Sequence, residues 1–133
     1  MGKSNIFGND IVVGDLVWGA VKGSPFWPGL IVNPKSEHLR LQRKNAGYFV
    51  SFFPKHDVSF LSRTAVMPFE CRDVLRYASK RPVRQAVAAA VEFILYYPDR
   101  YKHLISLARS LATSDKSFQQ LTNTYTQQHN NRR

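Results

Sequence analysis

The sequence predicts a mixed β + α fold in which a small β-barrel is followed by a C-terminal bundle of about three helices. Up to residue 69, short stretches rich in β-branched and aromatic residues alternate with glycine and proline turns, which is typical of small barrels. From residue 70 onward, apolar residues recur at helical spacing instead. With 133 residues the chain is long enough for one core and short for two. We therefore expect one domain over residues 14–126.

The barrel is expected within residues 14–69. Its predicted strands cover residues 16–21, 27–32, 47–53 and 58–61. The second ends at Asn33-Pro34, a turn signal, and residues 54–57 form the turn between the last two. Residues 35–46 are basic and poor in apolar side chains, so they predict an exposed connection.

Helices are expected over residues 70–126, flanked by looser ends. The first helix has an apolar stripe of Cys71, Val74, Leu75 and Ala78. Pro82 suits the first turn of the second, whose buried face would be Val83, Ala86, Val87, Ala90, Val91, Ile94 and Leu95. Pro98 is expected to begin the third, with Tyr101, Leu104, Ile105, Ala108 and Leu111 turned inward. A short helix over 115–125, a flexible lead-in at 1–13 and a disordered tail at 127–133 complete the prediction.

Composition points to a polyanionic partner. The formal net charge is +10, a field that favours nucleic acid or an anionic membrane surface. The excess is concentrated in residues 71–133, which carry +7 against +3 in residues 1–70. The apolar stretch at residues 86–91 is too short to span a bilayer, and no apolar signal region stands at the N-terminus, so we expect no membrane association.

Several classes of chemistry are disfavoured by the same residues. Cys71 is the only cysteine, which excludes an intrachain disulfide and a zinc site built on two cysteines. The histidines lie in different segments without ligand spacing, so neither a metal nor another cofactor is expected. No paired carboxylate, phosphate loop or triad spacing is present, and we expect no enzymatic activity.

The most distinctive segment is a proline-rich arch between the first two predicted strands. Pro25 and Pro28 fix φ and each withhold a backbone N–H, so they hold the chain extended. Trp27 lies between them on a backbone with little freedom. A rigid aromatic residue at a strand entrance is either a core side chain or the wall of a binding site.

Two blocks of sequence around and beyond this arch together resemble a known family. The first block is Gly14-Asp15-Leu16-Val17-Trp18, Val21-Lys22-Gly23 and Ser24-Pro25-Phe26-Trp27-Pro28-Gly29. The second is Tyr48-Phe49-Val50-Ser51-Phe52-Phe53, Pro54-Lys55-His56-Asp57 and Val58-Ser59-Phe60-Leu61, followed by Val66-Met67-Pro68-Phe69 as the short turn that closes the barrel. They are similar to PWWP domains, which belong to the Royal superfamily of chromatin readers. The resemblance implies a five-stranded barrel followed by helices, binding a methylated histone lysine and DNA.

The family's methyl-lysine cage maps onto the first strand, the arch and the third strand. A quaternary ammonium is held best by aromatic faces. By position the walls would be Trp27, Phe52 and either Val21 or Ser24. The third position lacks an aromatic ring, so the cage is weak, borrows Trp18 or Phe26, or has been lost. Asp57, beyond Phe52, either helps to hold the cation or its peptide or caps its own backbone.

The aromatic residues expected in the core are Trp18, Phe49, Phe53 and Phe60.

The candidate DNA contacts are basic side chains. The family's DNA-contacting lysine maps to Lys22, and Lys55 is a further candidate. Arg72, Arg76 and Lys80 recur every four residues along one predicted helical face, which Arg81 and Arg84 continue. Such charges suit phosphate contacts, which position a protein without reading base sequence.

These features favour a nuclear chromatin reader that engages a methylated lysine of histone H3, of the lysine 36 type, together with nucleosomal DNA. Two weak contacts at fixed geometry would give avidity that neither gives alone. One alternative is a protein-interaction module with a degenerate cage, whose helical surface docks another chromatin protein. Another is a sequence-neutral DNA-binding domain.

Overall fold

The computed structural model describes residues 11–40, 47–70 and 73–114, which contain five strands, four α-helices and a short 3-10 helix at Arg63–Ala65. The chain divides into two compact units, Met1–Phe69 and Glu70–Arg133. Several predicted segments lie outside the described residues: residues 1–10 of the expected lead-in, Cys71 and Arg72, the helix at 115–125 and the tail at 127–133. No helix within the described ranges is long and apolar enough to cross a membrane.

The first unit is built on one antiparallel sheet in the order β4-β3-β2-β1-β5. Its strands are β1 Leu16–Gly19, β2 Trp27–Ile31, β3 Tyr48–Phe52, β4 Asp57–Leu61 and β5 Val66–Pro68. The predicted strands are confirmed, with ends that differ by no more than two residues, and the expected closing turn contains the fifth strand. The five-stranded fold is therefore confirmed, with β4 and β5 as the edges of the described sheet.

The connection predicted at residues 35–46 begins with a short helix, α1 Ser36–Leu39. The backbone N–H of Lys35 donates to Nδ1 of His38, 3.1 Å away, across the start of this helix. The His38 ring also lies 5.0 Å from the ring of Phe49. Local capping and one ring contact therefore order residues 35–40 of this connection, and its residues 41–46 lie outside the described residues.

The two faces of the sheet carry different layers of side chains. One face presents a cluster of buried aliphatic residues, Val17, Ile31, Val50, Leu61 and Val66. The other carries Trp18, fully buried and stacked on Phe69 at 4.9 Å, and Phe49, 4.5 Å from Phe60. Trp18, Phe49 and Phe53 are buried as predicted, whereas Phe60 is only half-buried.

The second unit contains α2 Val74–Tyr77, α3 Arg81–Tyr96 and α4 Lys102–Ser114. Most of the predicted stripe of α3 is buried, with Leu95 half-buried at its end. The helices α3 and α4 pack against each other, and the ring of Phe93 lies 5.7 Å from that of Tyr101. In α4, Leu104 and Ala108 are buried as expected, and Ile105 and Leu111 are half-buried.

The predicted start of the third helix at Pro98 is wrong. The N–H of Arg100 donates to the carbonyl oxygen of Tyr97 at 3.1 Å, and the N–H of Tyr101 donates to the same oxygen at 3.3 Å. These bonds close an isolated turn around Pro98, and the helix begins only at Lys102.

Candidate functional site

Strand register brings Trp27, Phe52 and Asp57 to the same face of the sheet. Phe52 pairs directly with Gly29 on β2 and with Asp57 on β4. Trp27 stands two residues before Gly29, so it shares that face and is the diagonal neighbour of Phe52. Diagonal neighbours are within reach of aromatic side chains. Trp27 and Phe52 are both half-buried, while Asp57 is exposed.

Two glycines, Gly19 and Gly29, leave space for the ring of Phe52, and we call this pair the glycine floor. A methyl group placed on Gly29 would lie 3.3 Å from Cδ1 of Phe52, and one placed on Gly19 would lie 3.2 Å from Cε1. The ring therefore lies across β2 towards β1, over positions that have no side chain. Gly19 pairs with Trp27 in the β1–β2 ladder, so this floor runs beside the tryptophan. Sequence reasoning gave no role to these glycines.

The indole of Trp27 is fixed by a hydrogen bond. Its Nε1–H donates to the backbone carbonyl oxygen of Phe53, the residue that follows β3. The backbone N–H of Phe53 in turn donates to the carbonyl oxygen of Pro28 at 3.1 Å. The tryptophan at the entrance of β2 is thus tied to the end of β3, which limits the orientations that its ring can adopt.

The turn between β3 and β4 holds a second set of contacts that sequence reasoning missed. His56 has a φ of +66°, in the left-handed region, and its N–H donates to the carbonyl oxygen of Phe52 at 2.6 Å. Its Nδ1 lies 3.3 Å from Oγ of the buried Ser51, and its ring lies 5.8 Å from that of Phe53. This tight turn places Asp57 opposite Phe52.

The arch begins with a four-residue turn, in which Ser24 has a structural role. The N–H of Ser24 donates to the carbonyl oxygen of Val21 at 2.9 Å. Gly23, at the third position, has a φ of +84°, the value that a type II turn requires there. The Ser24 hydroxyl lies 2.9 Å from the Val21 carbonyl oxygen and 3.1 Å from that of Pro25.

The candidates for a third wall are not equivalent. Val21 is 43% exposed and Ser24 is exposed, and neither brings a ring. Trp18 cannot be borrowed, because it is fully buried on the opposite face of the sheet and stacked on Phe69. Phe26 is half-buried beside Trp27. The described face therefore combines two aromatic rings with the carboxylate of Asp57.

The basic candidates of the first unit stand on exposed turns. Lys22 occupies the second position of the arch turn, and Lys55 lies in the turn between β3 and β4. Both side chains are exposed. Each turn is closed by a backbone hydrogen bond, so each lysine projects from a defined backbone conformation.

The predicted continuous basic face on the second unit is wrong. Helix α2 ends at Tyr77, and Ala78 leaves the helical region with a ψ of 50°. Lys80 is extended, with a ψ of 145°, and is the N-cap of α3. The four-residue spacing from Arg76 to Lys80 therefore crosses a break in the chain, and Arg72 lies outside the described residues.

The cations after this break form a different cluster. Lys80, Arg81 and Arg84 belong to the N-cap and first turn of α3, which contains no acidic residue. The N–H of Arg84 donates to the carbonyl oxygen of Lys80 at 3.1 Å, so the three residues share one turn. Helix N-termini carry a partial positive charge, and these three cations add to it. The described residues contain no group of three or more His, Cys, Asp or Glu that could hold a metal ion.

Comparisons with known proteins agree on one family. The PWWP domain family model matches residues 14–99. The cytokine-like nuclear factor N-PAC of Homo sapiens is 33% identical over 84 residues, 62% of this chain and 15% of that protein. PWWP domain-containing protein 1 of Arabidopsis thaliana is 34% identical over 93 residues, 68% of this chain and 8% of that protein. The chain therefore spans only a small part of these relatives.

Among solved structures, the solution structure of the Pdp1 PWWP domain is 22% identical, with a TM-score of 0.47 over 62% of this chain and 83% of that one. It is described as having binding sites for methylated H4K20 and DNA. The family assignment depends on the sequence match, which covers well over half of the chain and includes the arch, the sheet and α3. The chain belongs to the PWWP family of chromatin-reader domains.

Proposed function

We propose that this chain is a nuclear chromatin-reading module that binds a methylated histone lysine and the DNA backbone. The observation that carries the proposal is the shared face of Trp27, Phe52 and Asp57, two half-buried rings and an exposed carboxylate. Each aromatic face contributes about 0.5–1 kcal/mol to holding an exposed cation, and about 2 kcal/mol when the site is desolvated. The carboxylate adds a charge of the opposite sign.

The proposed ligand is a methylated lysine of histone H3, of the lysine 36 type, since that is what the resemblance to the family implies. The Pdp1 domain is instead described with methylated H4K20. Nucleosomes trimethylated at one or the other position, with unmodified nucleosomes as reference, separate these ligands. Preference for the H4 mark would overturn the H3 assignment and leave methyl-lysine reading intact.

DNA contact is proposed for the first turn of α3 and for Lys22. A helix is normally stabilised by acidic residues in its first turn, whereas α3 begins with Lys80, Arg81 and Arg84. Lys80 and Arg81 are exposed at this turn, and both cations and the helix N-terminus attract a phosphate that approaches it. Lys22 and Lys55 offer further exposed cations on the first unit.

The test of methyl-lysine reading is Trp27→Ala. Loss of one aromatic wall should weaken binding to methylated nucleosomes by about twofold to thirtyfold, the factor that 0.5–2 kcal/mol represents. Affinity for free DNA should be unchanged. The matched control is Tyr96→Ala, which removes an aromatic side chain that is 62% exposed on the second unit. Equal methyl dependence before and after Trp27→Ala would overturn the proposed cage.

The test of DNA contact is the salt dependence of duplex binding. Lys80→Glu combined with Arg81→Glu should weaken all sequences alike and flatten the plot of log affinity against log salt, by about 0.9 for each DNA phosphate that the variant no longer neutralises. Lys102→Glu combined with Arg109→Glu is the matched control, because it reverses two exposed cations on α4. An equal effect of both pairs would show non-specific attraction by net charge.

The second candidate function is a protein-interaction module with a degenerate cage. It is favoured by Val21 and Ser24 at the third wall and by two exposed tyrosines, Tyr96 and Tyr97, at the end of α3. Tyr96 is 62% exposed and Tyr97 is 41% exposed. Under this alternative, Tyr96→Ala would abolish capture of another chromatin protein, and Trp27→Ala would leave it intact.

A further inference from the structure

Ser24 has the sequence context and the exposure of a modification site. Among all serines and threonines of the 133-residue chain, it alone precedes a proline. Both Ser24 and Pro25 are exposed. A residue before proline is restricted to extended backbone conformations. Proline-directed protein kinases accept a serine in an extended segment when proline follows it directly.

The hydrogen bonds of the arch allow this hydroxyl to react without opening the turn. The single hydroxyl proton is directed at two exposed backbone acceptors, the carbonyl oxygens of Val21 at 2.9 Å and Pro25 at 3.1 Å. The backbone N–H of Ser24 donates separately to the Val21 carbonyl oxygen. Loss of the hydroxyl proton therefore removes a side-chain bond and leaves the backbone bond that closes the turn.

We propose that Ser24 is phosphorylated by a proline-directed protein kinase and that the phosphate weakens DNA binding through Lys22. In this step Oγ of Ser24 bonds to the γ-phosphorus of ATP, and the bond from that phosphorus to the β–γ bridging oxygen breaks. ADP leaves, and the hydroxyl proton passes to the base of the kinase. The consequence for DNA rests on the proposed function, whereas the modification itself does not.

The effect on DNA follows from the size of the turn. Lys22 and Ser24 occupy the second and fourth positions of the same four-residue turn. A phosphoserine carries about −1.5 to −2 charges at pH 7, which more than cancels the single charge of Lys22. When the chain neutralises one DNA phosphate fewer, the slope of log affinity against log salt falls by about 0.9. If the phosphorylated and unmodified chains bind duplex equally at 1 M salt, this change predicts about fivefold weaker binding of the phosphorylated chain at 0.15 M salt.

The effect on a methylated peptide should differ in sign. A new anion three residues before Trp27 attracts a methylammonium ion and leaves both aromatic walls in place. Phosphorylation would therefore weaken the DNA contact and retain the methyl-lysine contact, so that binding to a nucleosome depends more strongly on the methyl mark.

The site is tested by incubating the whole folded chain with a purified cyclin-dependent kinase complex and ATP, followed by mass spectrometry. We expect one phosphate per chain, located on Ser24. It should be absent from Ser24→Ala and present in Ser62→Ala, which removes an exposed serine that no proline follows. Modification of Ser24 in urea-unfolded chain but not in folded chain would overturn the site.

The consequence is tested on the phosphorylated protein with a 20-base-pair duplex and a trimethyl-lysine peptide. Duplex affinity should fall by about fivefold or more with a flatter salt slope, while peptide affinity should not fall. Unmodified Ser24→Ala separates loss of the hydroxyl from gain of the phosphate. Unchanged duplex affinity after full phosphorylation would overturn the switch. A chain that binds no duplex before phosphorylation would overturn the proposed DNA contact and the switch together, while phosphate incorporation would still decide the site.

Discussion

The glycine floor under Phe52 makes a specific prediction for Gly29→Ala. The added methyl group would lie 2.5 Å from Cγ1 of Val50 and 3.3 Å from Cδ1 of Phe52. Val50 is fully buried and β-branched, so it has little rotamer freedom with which to move away. The strand must then separate locally, or Val50 must leave its preferred rotamer.

The expected loss can be worked from these contacts. Overpacking of a well-packed core costs about 1–3 kcal/mol. Alanine also reduces the entropy of the unfolded chain, which offsets about 0.4–1 kcal/mol. The midpoints of these two ranges give a net loss of about 1.3 kcal/mol, or about 5 °C in Tm for a chain of this length. Gly19→Ala should lose less, because its closest contact, at 2.9 Å, is Cδ1 at the flexible end of Leu61.

The assay is urea unfolding followed by tryptophan fluorescence. Both tryptophans, Trp18 and Trp27, lie in the sheet unit, so the signal reports on that unit. Combining Gly29→Ala with Val50→Ala removes the atom that clashes, so the double variant should lose less stability than the sum of the two single losses. A Gly29→Ala protein as stable as the unaltered chain, or more stable than Gly19→Ala, would refute the packing assigned to Phe52 and Val50.

Three further predictions concern the turn, the arch and the carboxylate. His56→Ala should lose about 1–2 kcal/mol more stability than His56→Gly in urea unfolding, because only glycine adopts the φ of +66° without strain; equal losses would contradict this. Ser24→Tyr should bind a trimethyl-lysine peptide more tightly with unchanged duplex affinity, since it adds a ring at the third wall; a titration without methyl preference in either protein would indicate a lost cage. Asp57→Asn should weaken the same peptide without weakening duplex binding, and unchanged peptide affinity would place Asp57 outside the site.

The strands could be predicted because their signals are local. Short β-rich stretches between turn residues give each strand and its approximate ends, and Pro25 and Pro28 mark the arch directly. The pairing register between strands is harder to predict from sequence, because it depends on the number of residues in each turn. The pairing of Phe52 with Asp57 follows from the left-handed conformation of His56, a residue that carries no strong turn signal.

The helical errors have a related cause. Four-residue spacing of Arg76 and Lys80 suggests a common face only if one helix contains both, and the sequence around Ala78 offers no glycine to mark a helix end. The chain nevertheless leaves the helix there and restarts with Lys80 as an extended N-cap. Likewise Pro98 is compatible with a first turn, but the turn around it closes on Tyr97 before the helix begins.

Position 24 illustrates why the absence of a third aromatic residue does not by itself remove the site. Ser24 is used by the arch, where its N–H and hydroxyl both reach the carbonyl oxygen of Val21. A cation needs compensating electrostatic attraction, which a ring supplies at about 0.5–2 kcal/mol. Opposite charges 4 Å apart attract by about 1 kcal/mol in water and about 4 kcal/mol near a protein surface before desolvation is counted. A carboxylate opposite Phe52 can therefore supply attraction comparable to the missing ring, so a degenerate aromatic pattern and a functional cation site are compatible in the same sheet.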